Sequence, residues 1–257
     1  MLRDRQRANR RYAAGTAGVV GALLVITLGV WIFRPANLDA ATLCPIDRPL
    51  AGHTVVIVDR TDRWTEAMSG ALTELIEAAQ RDTQKYQKFS IVSLDAGQSV
   101  HPVFSVCNPG EPSFWTDLYR GHRYTQRDFQ DRFVGAADRI VNAVSQPGEA
   151  STSPIIEYVH RWLGSDDFSA AIRHRRMILV SDMRQNSALY SVYTARNAEG
   201  LTPVVRSQLG QSAEGVAFDV YFVAHGRDHN VSEDQVRSAW NGAFQAINAN
   251  YTWRQIS

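Results

Sequence analysis

Thr54-Val-Val-Ile-Val-Asp59-Arg-Thr61-Asp62 decides how this chain is read. Val55, Val56, Ile57 and Val58 form a short, unbroken apolar run, the pattern of a strand buried on both faces as in a parallel sheet. Met177-Ile-Leu-Val-Ser-Asp182 repeats the design far downstream, again ending on an aspartate. In an open α/β sheet the carboxyl ends of parallel strands form the ligand-binding edge, so Asp59, Asp182 and the Thr61 hydroxyl are expected to face one shared pocket. Oxygen donors of this kind suit a hard cation such as Mg²⁺ or Mn²⁺.

Outward from that strand, apolar residues at 67, 68, 71, 72, 75, 76 and 79 predict one face of a helix over 64–82, with Asp62 as its cap and Glu66 in its first turn. Further strands are expected at 89–94, 103–106, 218–223 and 251–256, the last at a sheet edge. Helices are expected at 126–145, at Ile155 to Leu163, and along Val236 to Ile247, where Ser232 and Gln235 spell a capping box. Pro109, Gly110 and Pro112 mark 108–121 as a surface loop. In and just after it, Trp115, Tyr119 and Tyr124 read either as an exposed aromatic anchor or as cover for the sheet edge. Strands alternating with helices over 53–257 give the fold class: α/β, a doubly wound, mostly parallel sheet with helices on both faces.

Ahead of the domain, residues 13–33 run for 21 positions without a charge. As a helix this is about 31 Å long, close to the hydrocarbon thickness of a bilayer. We read it as one transmembrane helix preceding the domain. Residues 1–12 are then a cytoplasmic arm carrying Arg3, Arg5, Arg7, Arg10 and Arg11 against Asp4, which by the positive-inside rule holds the N-terminus in the cytoplasm. The competing reading is a cleaved signal peptide, with Ala40 and Ala41 as small residues near a cleavage point, but the apolar core of such a peptide spans only about 7–15 residues. Residues 34–52, with Pro35, Pro45 and Pro49, read as a linker. These assignments put the protein in the cytoplasmic (inner) membrane, with residues 53–257 periplasmic or extracellular.

Charge agrees with that division. Of 27 basic and 26 acidic side chains, five and one lie in the first eleven residues, leaving 22 against 25 for the rest. A mildly acidic exported part excludes the basic stripe of a nucleic-acid binder. Cys44 and Cys107 both fall on the side where disulfides persist, and a bridge between them would tie the linker to the domain; two unrelated thiols are the alternative.

Asp59-Arg-Thr61-Asp-Arg63 resembles the opening motif of von Willebrand factor type A domains, an apolar strand ending in Asp-x-Ser-x-Ser. Ala150-Ser-Thr-Ser-Pro-Ile-Ile156 is similar to the family's hydroxyl-rich loop before a helix, and Asp182 matches its aspartate after a central strand. The three elements occur in the family's order. The resemblance implies a metal-ion-dependent adhesion site in which Asp59, Thr61, Ser151 and Asp182 hold Mg²⁺ or Mn²⁺ and a carboxylate of a partner protein completes the coordination. Arg63 replaces the family's second serine, which makes the implied site degenerate. Its guanidinium either turns outward on its long stem or pairs with Asp59 or Asp182 in place of the cation. Ser151, Thr152 and Ser153 are equal candidates for the hydroxyl that faces the site.

Arg63, Ser153, Arg184, Gln185 and Asn186 lie on loops of the same edge and are the expected partner-binding residues, a turn network at 184–186 being the alternative. The function expected is a membrane-anchored, extracytoplasmic protein-interaction module. No nucleophile elbow, phosphate-binding loop or HExxH helix occurs, so an enzyme is not expected. Two readings stand beside it: an exported metal-dependent phosphoester hydrolase using Asp59 and Asp182, and a structural subunit of an envelope-spanning complex using Gly15, Gly18, Gly21 and Gly29 for helix contacts.

Overall fold

The structure is a computed structural model and describes residues 2–32, 34–61, 64–94, 102–135, 152–194, 200–224 and 231–256. A first helix, α1 (Leu2–Ile32), precedes β1 (Gly52–Asp59), α2 (Glu66–Asp82), β2 (Gln87–Leu94) and β3 (Phe104–Cys107). Two short helices, α3 (Phe114–Arg120) and α4 (His122–Arg127), run into a π-helical turn at Asp128–Val134. Then come α5 (Ile155–Leu163), β4 (His174–Ser181), α6 (Leu201–Leu209), β5 (Val216–Val223), α7 (Glu233–Ala246) and β6 (Asn250–Ile256).

The six strands are ordered β3-β2-β1-β4-β5-β6. All neighbours are parallel except β3, which runs antiparallel to β2 at one edge. β1 lies between β2 and β4 and all eight of its residues are buried, which is why its sequence is an unbroken apolar run rather than an alternation. Successive side chains still point to opposite faces. Val55 and Ile57 pack with Ile156 and Val159 of α5, Val205 of α6 and Phe244 of α7. Val56 and Val58 pack with Leu72, Leu75, Ile76 and Ala79 of α2 and with Phe133. The sheet is therefore covered on both sides, as the sequence pattern requires.

Several local expectations are corrected. α2 starts at Glu66 and its cap is Thr65, whose hydroxyl accepts from Met68 N at 3.2 Å. Asp62, the expected cap, lies outside the described residues. The stretch 108–121 is only partly a loop: Ser113 and Thr116 form a capping box that starts α3. Of the helix expected at 126–145, residues 126–134 are helical, and 136–145 lie outside the described residues.

Residues 34–52 are not a bare linker. Ala36 and Leu43 are buried, and the Asp39 carboxylate accepts from Ala41 N, Thr42 N and the Thr42 hydroxyl, folding a tight turn. Cys44 is disulfide-bonded to Cys107, and Cys107 N donates to Thr42 O at 2.8 Å. Tyr86, Arg120 and Arg132 also hold backbone groups at Ala36, Ala40 and Ala41. This segment is a strap sewn onto the β3 edge.

In α1 the large apolar side chains from Val19 to Ile32 stand exposed, Val25 at 71% and Trp31 at 74%. Among the described residues, no helix is long and apolar enough to cross a membrane. Side chains of α1 are described from Thr16 onward, so the expected span of 13–33 runs past them at both ends.

Candidate functional site

The parallel register pairs Val58 with Val180, which sets Asp59 level with Ser181 at the carboxyl edge of the sheet. Asp59 is 6% exposed and all four of its lone-pair directions are used. Its Oδ1 accepts from Thr61 N at 3.0 Å and from Thr61 Oγ1 at 2.7 Å. Its Oδ2 accepts from Ser153 Oγ at 2.9 Å and Ser181 Oγ at 2.7 Å. Three hydroxyls, from the turn after β1, the segment before α5 and the end of β4, thus converge on one carboxylate. Trp64 Nε1 donates to the Asp59 carbonyl at 3.1 Å and closes the turn behind it.

Ser153 is held by a two-way backbone bridge: its N–H donates to Asn186 O at 2.8 Å and its carbonyl accepts from Asn186 N at 2.9 Å. Of the three candidate hydroxyls, Ser153 is the one shown in contact with Asp59, while Thr152 is exposed. Ser151 and Arg63 lie outside the described residues.

Asp182 faces a different neighbour. Its Oδ2 lies 3.2 Å from Arg184 Nε, and both side chains are only 7% exposed. Its Oδ1 accepts from Arg184 N at 2.9 Å. Arg184 Nη1 also donates to Val231 O at 2.8 Å, binding the loop after β4 to the loop before α7. Gln185 is fully buried; its Oε1 accepts from Ile156 N at the start of α5, and its Nε2 donates to Glu157 Oε2 and Ser187 Oγ. Met183 between them takes φ +57° and is buried, with its carbonyl accepting from Trp240 Nε1 at 2.7 Å. Arg184 and Gln185, expected on a contact surface, are therefore turned inward to hold the edge loops together, and Asn186 pairs through its backbone. Ser181 was not anticipated, because its role depends on the register of β1 with β4.

The donor chemistry around Asp59 suits a hard cation; of the expected set, Asp59, Thr61 and Asp182 are described, and both acids are engaged by protein donors. A divalent ion between two acids needs Asp182 oxygen lone pairs that the Arg184 guanidinium and backbone already engage in a nearly dry environment. Among the described residues no group of three or more His, Cys, Asp or Glu is placed to hold a metal.

The mostly parallel, doubly covered sheet, with Asp59, Thr61, Ser153 and Asp182 at its carboxyl edge, is the α/β fold expected from the sequence. No protein-family model matches the sequence, and no curated protein matches it. Among solved structures, the chain is similar to an aerotolerance-related membrane protein from Bacteroides fragilis NCTC 9343, at 10% identity and a TM-score of 0.42 over 80% of this chain and 92% of that one. It is similar to the pilus adhesin SpaC from Lactobacillus rhamnosus GG, at 9% identity and a TM-score of 0.45 over 87% of this chain and 29% of the adhesin, of whose length it thus spans under a third. It is also similar to the manganese-loaded TRAP protein of Plasmodium vivax, at 13% identity and a TM-score of 0.39 over 79% and 68% of the two chains.

Proposed function

We propose that this chain is a single-pass protein of the cytoplasmic membrane, N-terminus inside, that presents its domain in the extracytoplasmic space to bind another protein through the sheet edge around Asp59. One observation supports the reading: the strap that follows α1 is fixed at the end of the sheet opposite Asp59. Cys107 pairs with Lys88, and Lys88 with His53 near the start of β1. The disulfide therefore fixes the strap six residues below Asp59, about 20 Å along the strand. A domain tethered at one end offers the other to a partner.

In this reading the cation implied by the family resemblance is dispensable: Arg184 supplies a fixed positive charge to Asp182, and the hydroxyls of Thr61, Ser153 and Ser181 order Asp59. No step depends on Mg²⁺ or Mn²⁺. An acidic side chain on the partner is the natural complement, since Arg60 and Arg63 bracket Thr61 in the sequence. The hydrolase reading draws no support from a site whose two carboxylates are both engaged by protein donors.

The test is in-membrane photo-crosslinking of the full chain, with a photoreactive residue at Thr61 in one variant and at Arg173, at the opposite end of the sheet, in another. A discrete protein adduct from Thr61 alone supports the reading. An adduct from Arg173 alone sinks it.

A further inference from the structure

We infer that α3 and α4 lie on the outer surface of the bilayer that α1 enters, giving the domain a second, interfacial membrane contact beside its anchor. The inference rests on the anchor reading above and adds a surface to it.

The first observation is an exposed apolar cluster. Phe114 is 73% exposed, Leu118 65%, Tyr119 42% and Tyr124 68%. Phe114 and Leu118 are four apart in α3 and share one face of the helix. Four large apolar residues within eleven positions, all turned outward, are more than the scattered exposure normal for a soluble surface.

The second observation says what covers them. Arg120 of α3 donates to the carbonyl of Ala36, and Ala36 follows the end of α1 by only four residues. Four residues of extended chain reach at most about 14 Å. The headgroup layer on each side of the hydrocarbon is itself about 5–8 Å deep. Arg132, in the π-helical turn after α4, donates to the carbonyls of Ala40 and Ala41 at 2.7 Å each, so both ends of the segment are pinned to the strap. The cluster thus sits where the chain leaves the bilayer and cannot move far from it.

The chemistry of the cluster matches that layer. Tyrosine places an apolar ring and a polar tip at the lipid–water boundary, and exposed Trp31 lies in the last turn of α1, in the same zone. Exposed Arg123 and Arg127 flank Tyr124 and suit lipid phosphates. The nearby acids are partly engaged within the protein: Asp117 accepts from the Thr125 hydroxyl at 2.6 Å and Asp128 pairs with Arg132. Glu111 and Asp131 are the exposed acids of the segment.

The experiment uses the full chain reconstituted into phosphatidylcholine–phosphatidylglycerol vesicles. Both native cysteines are in the disulfide, so Leu118→Cys provides one thiol for an environment-sensitive fluorophore. Leu189→Cys, exposed on the loop after β4 at the far end, is the reference. The expected result is blue-shifted emission at 118 with several-fold stronger quenching by lipid-borne nitroxides than at 189, and weaker quenching by aqueous iodide. Retention on floated vesicles after an alkaline wash reports the anchor separately. A chain that washes off overturns the anchor reading and this inference with it. A chain that stays, with label 118 as accessible to iodide as label 189, overturns the docking alone. A label shielded from both quenchers in proportion to protein density assigns the face to a second copy of the chain and likewise overturns the docking.

Discussion

Replacing Arg184 with Met removes a guanidinium and keeps most of its apolar stem, leaving Asp182 charged in a setting where both side chains are 7% exposed. Breaking a buried pair from one side costs about 3–5 kcal/mol, because the remaining charge is uncompensated. For a domain of this size, each kcal/mol moves the unfolding midpoint by about 2–4 °C, so a loss of about 6–20 °C is expected for Arg184→Met. Adding Asp182→Asn removes the orphaned charge and should restore more than half of that loss; the hydrogen bond from Arg184 to Val231 O stays lost. The same logic assigns the metal response. After chelation, millimolar Mn²⁺ should leave the wild-type midpoint unchanged and raise that of Arg184→Met, since an ion binding only the folded state at a hundredfold excess over its dissociation constant adds about 2.7 kcal/mol. The assay is thermal and urea unfolding of the full chain in detergent. A wild-type midpoint raised by Mn²⁺, or an Arg184→Met protein within about 1 kcal/mol of wild type, would refute the internal-cation argument.

Stability should also fall with acid well above the carboxylate range. His53 is 1% exposed, and burial, only partly offset by the Asp167 backbone and charge, pushes its pKa down from 6.5 to about 4. The unfolded chain then binds the extra proton first, so this contribution is full above the unfolded value and drains away as pH falls through that window. The expected loss between about pH 7 and about pH 5 is about 2 kcal/mol, and His53→Gln should flatten that slope in urea titrations. Reducing Cys44–Cys107, which closes a separation of 63 residues, should lower stability by about 2–4 kcal/mol, checked by unfolding with and without reductant. Trp240→Phe removes the donor to Met183 O and should cost about 1–2 kcal/mol, with hydrogen exchange accelerating at Met183 to Gln185.

The central strands were legible because burial on both faces leaves nothing but apolar side chains at Val55 to Val58 and Met177 to Val180. Their amino ends were not. β4 begins with His174-Arg-Arg, three residues no hydropathy pattern assigns to a strand. They are strand because the sheet edge lets them reach out: Arg175 donates to Glu214 O, and Arg176 pairs with Asp219 at 2.6 Å. Likewise Lys88 in β2 pairs with Asp167 at 2.5 Å. α6 escaped notice because Pro203, Val204 and Val205 argue locally against a helix, yet Pro203 sits in the first turn, where its missing N–H has no intrahelical acceptor. At the site, aspartates and hydroxyls were visible as strand-end residues. Ser181 needed the β1–β4 register, and the inward turn of Arg184 needed the loop before α7, some 47 residues away.

The strap has a mechanical consequence. Under the proposed function, a partner pulling on the Asp59 end would load β1 along its own axis, against the strap at the other end. Both flanking strands are parallel to β1 and registered along it, so the two hydrogen-bond ladders are strained in shear, many bonds at once, instead of being unzipped one by one. Tension arriving from α1 divides at Cys44: one branch crosses the disulfide into β3, and the other continues to Gly52 and up β1. Such a pull would be spread over the β3 edge as well as the central strand.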